Sequence, residues 1–224
     1  MNGKLKVLLV DDHAVVREGY RRLLERSSQI EVVGEAADAA SAYQAFAEHT
    51  PDVVVMDISL PGVSGIEATR RLLARRPEAR ILIFSIHDEA VFALRALEAG
   101  ARGYLTKASA PDTLVDAVEI VAQGKSYIGA DVARTLALAR APESSDAARS
   151  LSARELEVLR LIVQGYSLRA IAEKLGLTAK TVANHQSSIK QKLGAETGAQ
   201  LVRLAVMHGL VGDELSPLPG REGH

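Results

Sequence analysis

The 224-residue chain is 47% apolar and 25% charged, enough to bury one mid-sized core or two small ones and too apolar for wholesale disorder. Cysteine is absent, which excludes a disulfide framework and thiolate chemistry. The net charge of −1 hides an asymmetry: residues 1–148 carry 17 basic against 21 acidic side chains, and residues 149–210 carry 9 against 4, so the second segment suits nucleic acid better than the first.

The first 125 residues alternate short β-branched runs with amphipathic stretches. Lys6–Val10 (KVLLV) reads as a buried strand ending at Asp11 and Asp12, and Val15 to Arg26 has helical spacing through Val16, Tyr20, Leu23 and Leu24. Glu31–Glu35 is a second strand and Ala39–His49 a second helix; Asp52–Met56 (DVVVM) is a third strand ending at Asp57. A loop with Pro61 and Gly65 leads to a helix over Ile66–Arg75, then strand Ile81–Ser85, helix Glu89–Ala99, strand Gly103–Thr106 and helix Pro111–Gln123. Continuous apolar strands between helices predict a doubly wound α/β domain with a five-stranded parallel sheet over residues 1–125. Residues 126–150 read as a short helix near Val132–Leu138 and an interdomain linker, ARAPESSDAARS. Residues 151–209 read as a small all-α domain of four helices, and 210–224 as a polar, frayed tail. The N-terminal run MNGKLKVLLVDDH lacks the apolar core of a secretory signal, and no apolar run approaches the roughly 20 residues that span a bilayer. A cytoplasmic protein with no membrane partner is expected.

Function in a doubly wound sheet gathers at the carboxyl ends of the strands. There the first domain places Asp11 and Asp12, Asp57, Ser85 and Lys107. Three converging carboxylates repel unless a cation intervenes, and a small oxygen site suits Mg²⁺. An ammonium and a hydroxyl suit phosphoryl oxygens, so the set reads as a phosphoryl-transfer site with a carboxylate nucleophile. A single aspartate after a strand would be an ordinary loop carboxylate; it is the whole set that is specific.

LLVDDH, VVVMDISLPGVSG, ILIFS and GYLTKAS resemble the receiver domain of two-component response regulators, over about residues 4–124. The resemblance implies the flavodoxin-like fold of the receivers and a phosphoryl group passed from a sensor histidine kinase to Asp57. It implies Mg²⁺ bound directly by Asp12, Asp57 and the backbone carbonyl of Ser59, with Asp11 acting mainly through water. Lys107 would pair with Asp57 and then with the phosphate, Ser85 would move to the phosphoryl oxygen, and Tyr104 would be the aromatic switch that turns inward with it. Ser59 and His87 resemble positions that tune loss of the phosphate. Lys107 is followed by Ala108, where many receivers have proline.

In the second domain Ser152 and Glu155 make a capping box, Gly165 ends the first helix, and Gly176–Leu177 turns the second, about Ser167–Leu175, into a third over about Ala179–Leu193 capped by Thr178. Two short helices about such a turn are the helix-turn-helix signature. Val182, Ile189 and Leu193 should face inward; Lys180, Asn184, Ser187 and Lys190 should meet solvent or DNA. LSARELEVLRLIVQGYSLRAIAEKLGLTAKTVANHQSSIKQKLGA is similar to the LuxR-type output domain of the nitrate-responsive, nodulation-gene and quorum-sensing regulators, and the similarity covers nearly all of 150–209. That resemblance makes Ala179–Leu193 the major-groove reader, with Lys180, Thr181, Asn184, His185, Ser187, Lys190 and Lys192 as its DNA residues. Lys190 and Lys192 would mainly meet phosphates, and His185 is structural or a backbone-phosphate contact. Ala183 stands where many relatives have Lys or Arg, which shifts base reading toward Asn184 and Ser187. A small module binds weakly alone, so a homodimer on two half-sites of promoter DNA is expected. The sequence therefore reads as a transcription regulator whose receiver catalyses only its own phosphorylation and dephosphorylation. A receiver that serves only assembly and an aspartate-nucleophile phosphatase are the alternatives; the intact acidic set argues against the first, and the lack of a substrate cap against the second.

Overall fold

The structure, a computed structural model, describes residues 3–138, 150–208 and 210–211. The expected linker over 139–149 and the tail from 212 onward lie outside the described residues. The chain divides into two compact units.

The N-terminal unit is a parallel sheet wrapped by helices. Its elements are β1 Leu5–Val10, α1 Ala14–Leu24, β2 Ile30–Ala36, α2 Ala39–His49, β3 Val53–Met56, α3 Gly65–Arg75, β4 Ile81–Ser85, α4 Ala90–Glu98, β5 Gly103–Thr106, α5 Pro111–Ala122, β6 Tyr127–Ile128 and α6 Ala130–Leu138. Local chemistry sets several boundaries: Asp38 and Ser41 form a reciprocal capping box at α2, and Pro111, whose missing N–H costs nothing there, opens α5. Strands β3, β4 and β5 are buried along their whole length, as strands covered on both faces must be. Val7, Leu9, Val53, Val55, Leu82, Phe84 and Leu105 build one core with Leu24 of α1 and Leu114, Val118 and Val121 of α5. The alternate residues Leu8, Val10, Val54, Met56 and Ile83 are equally buried toward the opposite face. There α2 meets α3, and α3 meets α4.

The strand order is β2-β1-β3-β4-β5-β6. Chain direction through the sheet reverses between β1 and β3, which opens the crevice at their carboxyl ends. Where the sequence reads as five strands, the sheet has six. The sixth is a two-residue parallel edge strand paired as Gly103↔Tyr127 and Tyr104↔Ile128, inside the stretch read as helix and linker. It is too short to carry a hydrophobic period of its own and exists through its pairing with β5. Helix α6 follows it and packs on α4 and β5. Val16, expected on the apolar stripe of α1, is instead 37% exposed, while Leu24 at the other end of the helix is fully buried.

The C-terminal helices are α7 Ala153–Val163, α8 Leu168–Leu175, α9 Ala179–Leu193 and α10 Gly198–Met207. Ser152 and Glu155 form a full capping box on α7. Gly165, at φ 83°, closes α7 in a Schellman motif, with Tyr166 N–H bonded to Leu161 O and its own N–H to Ile162 O, both at 3.0 Å. Leu156 and Leu159 of α7, Val182 and Ile189 of α9, and Leu201 and Ala205 of α10 are fully buried. Both α9 and α10 pack on α7.

Candidate functional site

Register brings the acidic residues together. Val10 pairs with Met56 across β1 and β3, so Asp11 and Asp57 are the next residues out of adjacent strands. Ser85 pairs with Thr106, which puts Lys107 one step beyond the same edge. The Lys107 ammonium lies 2.6 Å from Asp11 Oδ2 and 2.7 Å from Asp57 Oδ2. All three side chains are nearly buried. Asp57 Oδ1 accepts the Ile58 N–H at 2.7 Å. Burial raises the Asp57 carboxyl above the ordinary carboxylate range, with Lys107 opposing. Burial also works to lower Lys107, but Asp57 and Asp11 outweigh it and hold the ammonium above its usual value, so it stays charged.

Asp12 differs from its neighbour. Its Oδ1 is buried and makes no aligned hydrogen bond, although His13 Nδ1 lies 2.7 Å away. Asp11, Asp12 and His13 each bring one ligand atom within 4.8 Å of the others. Asp57 is not in that group. A buried carboxylate oxygen without a donor, beside the Asp11 carboxylate, is a donor of the kind hard cations take.

The loop after β3 is shaped around Asp57. Gly65 N–H bonds to Ile58 O at 2.8 Å, and a Cβ on Gly65 would sit 1.8 Å from the Asp57 carbonyl oxygen. Across the crevice Ser85 Oγ accepts the His87 N–H at 3.3 Å. The buried His87 ring stacks on Phe92 at 4.1 Å and reaches Ser59 Oγ through Nε2 at 3.1 Å, so the two loops beside Asp57 are tied to each other. Tyr104 is fully buried with its hydroxyl donating to His87 O at 2.7 Å; the ring is in the inward position.

In the second unit α9 presents Lys180, Asn184, Ser187 and Gln191 on one exposed stripe. Val182, Ile189 and Leu193 are buried as their spacing predicts. Several expected DNA residues are already engaged. Thr181 takes part in the helix cap, its N–H bonded to Thr178 Oγ1 at 3.1 Å. Ser187 Oγ donates back to Ala183 O at 3.0 Å. Burial lowers the His185 pKa against the pull of Glu155, which keeps the ring neutral at physiological pH. Lys190 is half-buried. Lys192 binds Glu155 through both carboxylate oxygens, at 2.6 and 2.8 Å. Ser188 Oγ at 2.7 Å and the Ser152 N–H at 2.6 Å complete the shell of that carboxylate. Despite burial, these donors, Lys192 foremost, lower the Glu155 pKa to about 2.

Sequence reasoning missed three of these features. Gln191 extends the α9 stripe and was readable from its i+4 spacing on Ser187. The Glu155–Lys192 pair joins residues 37 apart and leaves no local mark. Arg17, on α1, donates from Nη1 to Asp11 O at 2.6 Å.

Comparison with known proteins agrees with this organisation. The response regulator receiver domain matches residues 7–119, and the luxR family of bacterial regulatory proteins matches residues 149–205. Response regulator UvrY of Escherichia coli K12 is 39% identical over 212 residues, 94% of this chain and 97% of its own. Oxygen regulatory protein NreC of Staphylococcus carnosus is 39% identical over 217 residues, 92% of this chain and 99% of its own. A LuxR-family response regulator from Aurantimonas superposes with a TM-score of 0.61 at 51% identity, over 62% of this chain and 100% of that one. RcsB of Salmonella typhimurium superposes at 0.60 with 28% identity, over 92% of this chain and 99% of its own. No helix among the described residues is long and apolar enough to cross a membrane. The chain belongs to the two-component response regulators, in the branch that couples a receiver domain to a LuxR-family helix-turn-helix DNA-binding domain.

Proposed function

We propose that Asp57 accepts a phosphoryl group from the phosphohistidine of a sensor histidine kinase and that this event controls promoter binding through α9. The observation that carries the reading is the Lys107 ammonium seated between Asp11 and Asp57. An Asp57 oxygen attacks phosphorus, a P–O bond forms as the P–N bond to imidazole breaks, and the imidazole nitrogen takes up a proton. Lys107 then exchanges its carboxylate partner for a phosphoryl oxygen. Ser85, whose hydroxyl accepts the His87 N–H at 3.3 Å and bonds to the Tyr104 side chain, rotates to donate to another. Tyr104, on the strand beside it, holds the inward position through His87 O.

The residues present suit Mg²⁺, which Asp12, Asp57 and the Ser59 carbonyl would hold, with Asp11 acting mainly through water. The undonated Asp12 Oδ1 is the oxygen such an ion would satisfy. Bound there, Mg²⁺ neutralises charge on the phosphoryl oxygens. The Ser59–His87 bond spans the approach to Asp57 and governs how readily water reaches the aspartyl phosphate. The receiver acts on no other substrate.

On DNA, Lys180 and Asn184 face base edges, and Lys190 steers toward phosphates. Lys192 is assigned to the fold rather than to DNA, because its charge is spent on Glu155. A homodimer places two α9 helices in successive major grooves.

The test is DNA binding on genomic fragments selected by the protein, with and without Mg²⁺ and a small phosphoryl donor, for wild type and Asp57→Ala. Affinity should rise about 5- to 150-fold for wild type only. Equal binding in all four conditions would leave the DNA-binding role and remove the phospho-switch.

A further inference from the structure

We infer that Arg17 is a positioning residue for the acidic site, setting the geometry in which Asp11 and Asp12 receive the divalent cation. The inference rests on the Mg²⁺ reading above and adds a residue to it. Arg17 lies on the second turn of α1, six residues beyond Asp11, with its side chain only 16% exposed. Its Nη1 donates to the Asp11 carbonyl at 2.6 Å, and its Nε to Glu35 Oε2 at 2.7 Å. Glu35 is held in turn by Arg21 Nη1 at 2.8 Å, and Arg21 Nη2 binds Val32 O at 2.9 Å. The guanidinium thus bolts the turn after β1 to the end of β2 by two contacts from different nitrogens, a pair a single lysine ammonium copies poorly.

The bolted peptide matters because both carboxylates hang from it. Asp11 N–H is fixed to Ala36 O at 3.0 Å, and Asp11 Oδ1 accepts the His13 N–H at 2.8 Å. Among the described residues, Arg17 is the side chain that holds the carbonyl between the two aspartates. It also lines, with Tyr20, Asp11 and Asp57, a cavity of about 10 Å³.

Groups that orient a metal's ligands without touching the ion typically alter metal affinity by about 10- to 100-fold. The test is a Mg²⁺ titration of the full chain by calorimetry and by amide NMR shifts, with thermal melts alongside, for wild type, Arg17→Gln, Arg17→Lys and Glu35→Gln. Arg17→Gln should weaken Mg²⁺ by about 10-fold, Arg17→Lys by less, and Glu35→Gln by an intermediate amount, since it frees the guanidinium without touching Asp11. Saturating Mg²⁺ should restore phosphorylation of Arg17→Gln by a small donor, so that the apparent KM for the ion moves and kcat does not. A folded Arg17→Lys or Glu35→Gln with wild-type Mg²⁺ affinity overturns the positioning role. So does an affinity loss that follows the melting temperature alone across the variants. A wild-type chain that binds no Mg²⁺ removes the metal reading itself, a result that differs from both because it appears before any variant is made.

Discussion

A buried carboxylate beside an ammonium is stable only if its backbone is immobile, and at Asp57 that duty falls on a glycine. Gly65 begins α3 with ordinary helical geometry, where alanine would normally be favoured by about 1 kcal/mol. Here a Cβ would lie 1.8 Å from the Asp57 carbonyl oxygen, a distance that no rotamer relieves. The steric demand wins over propensity. Gly65→Ala should cost about 1–3 kcal/mol by chemical denaturation and slow phosphorylation of Asp57 by a small donor, because the Asp57 peptide must move. Gly62, at φ 74° with nothing within 4 Å of its would-be Cβ, is the control: Gly62→Ala should lose about 1 kcal/mol or somewhat more from backbone strain while phosphorylation holds. The glycine is visible in the string LPGVSG, and the loop role assigned to it needs no structure. That the contact is with the Asp57 carbonyl itself depends on how tightly the strand and the helix start approach, which spacing does not encode.

Elements whose signals are local were legible, and those made by partners were not. The bounds of α9 agree with the sequence to the residue, because Thr178 caps one end and Gly194 adopts the left-handed conformation at the other. The acidic site was legible because each member ends a strand, and parallel register places strand ends together. Strand β6 was not, since two residues carry no period and become a strand only by pairing with β5. The pairing of Lys192 with Glu155 was not legible either: the resemblance implies a phosphate contact for this lysine, and its partner carboxylate is on another helix.

The same distinction predicts how α6 is held. Thr106, the last residue of β5, donates to Asp131 Oδ2 at 2.5 Å, and Gly129 N–H bonds to Tyr104 O at 2.9 Å. Asp131 also sits in the first turn of α6, where a negative charge suits the helix dipole. Asp131→Ala should therefore destabilise α6 by about 1.5–3 kcal/mol. Hydrogen exchange should show α6 amides opening faster while those of β1, β3 and β4 keep their protection. Uniform acceleration through the sheet would mean instead that α6 and the sheet open as one.

At the scale of the whole molecule the two units differ in charge and in how each buries it. The receiver, acidic overall, spends its buried lysine on two carboxylates; the basic unit spends one of its lysines on a single carboxylate inside a helix cap. Acid acts on these in opposite senses. The raised pKa of Asp57 means the folded receiver binds that proton more readily than the unfolded chain does, so this group's contribution to stability improves as pH falls through its titration. Glu155 is the reverse: its folded pKa of about 2 lies below the ordinary 4.5, so its contribution is fully present above 4.5 and is lost as pH falls toward 2. The helix-turn-helix unit should thus lose stability across that window through Glu155, read from the amide signals of α7 and α9 as pH is lowered. Glu155→Gln should cost about 1.5–3 kcal/mol at neutral pH, because Lys192 is left without its charged partner, and should flatten the acid dependence of those signals. Lys192→Met should flatten it as well while leaving the Ser152 cap in place, so that DNA affinity measured near neutral pH on the folded variant separates the two roles of this lysine. A loss of affinity confined to the drop in stability places Lys192 in the fold. A loss that persists in the folded protein, with a shallower salt dependence by about one phosphate contact, returns it to the DNA interface.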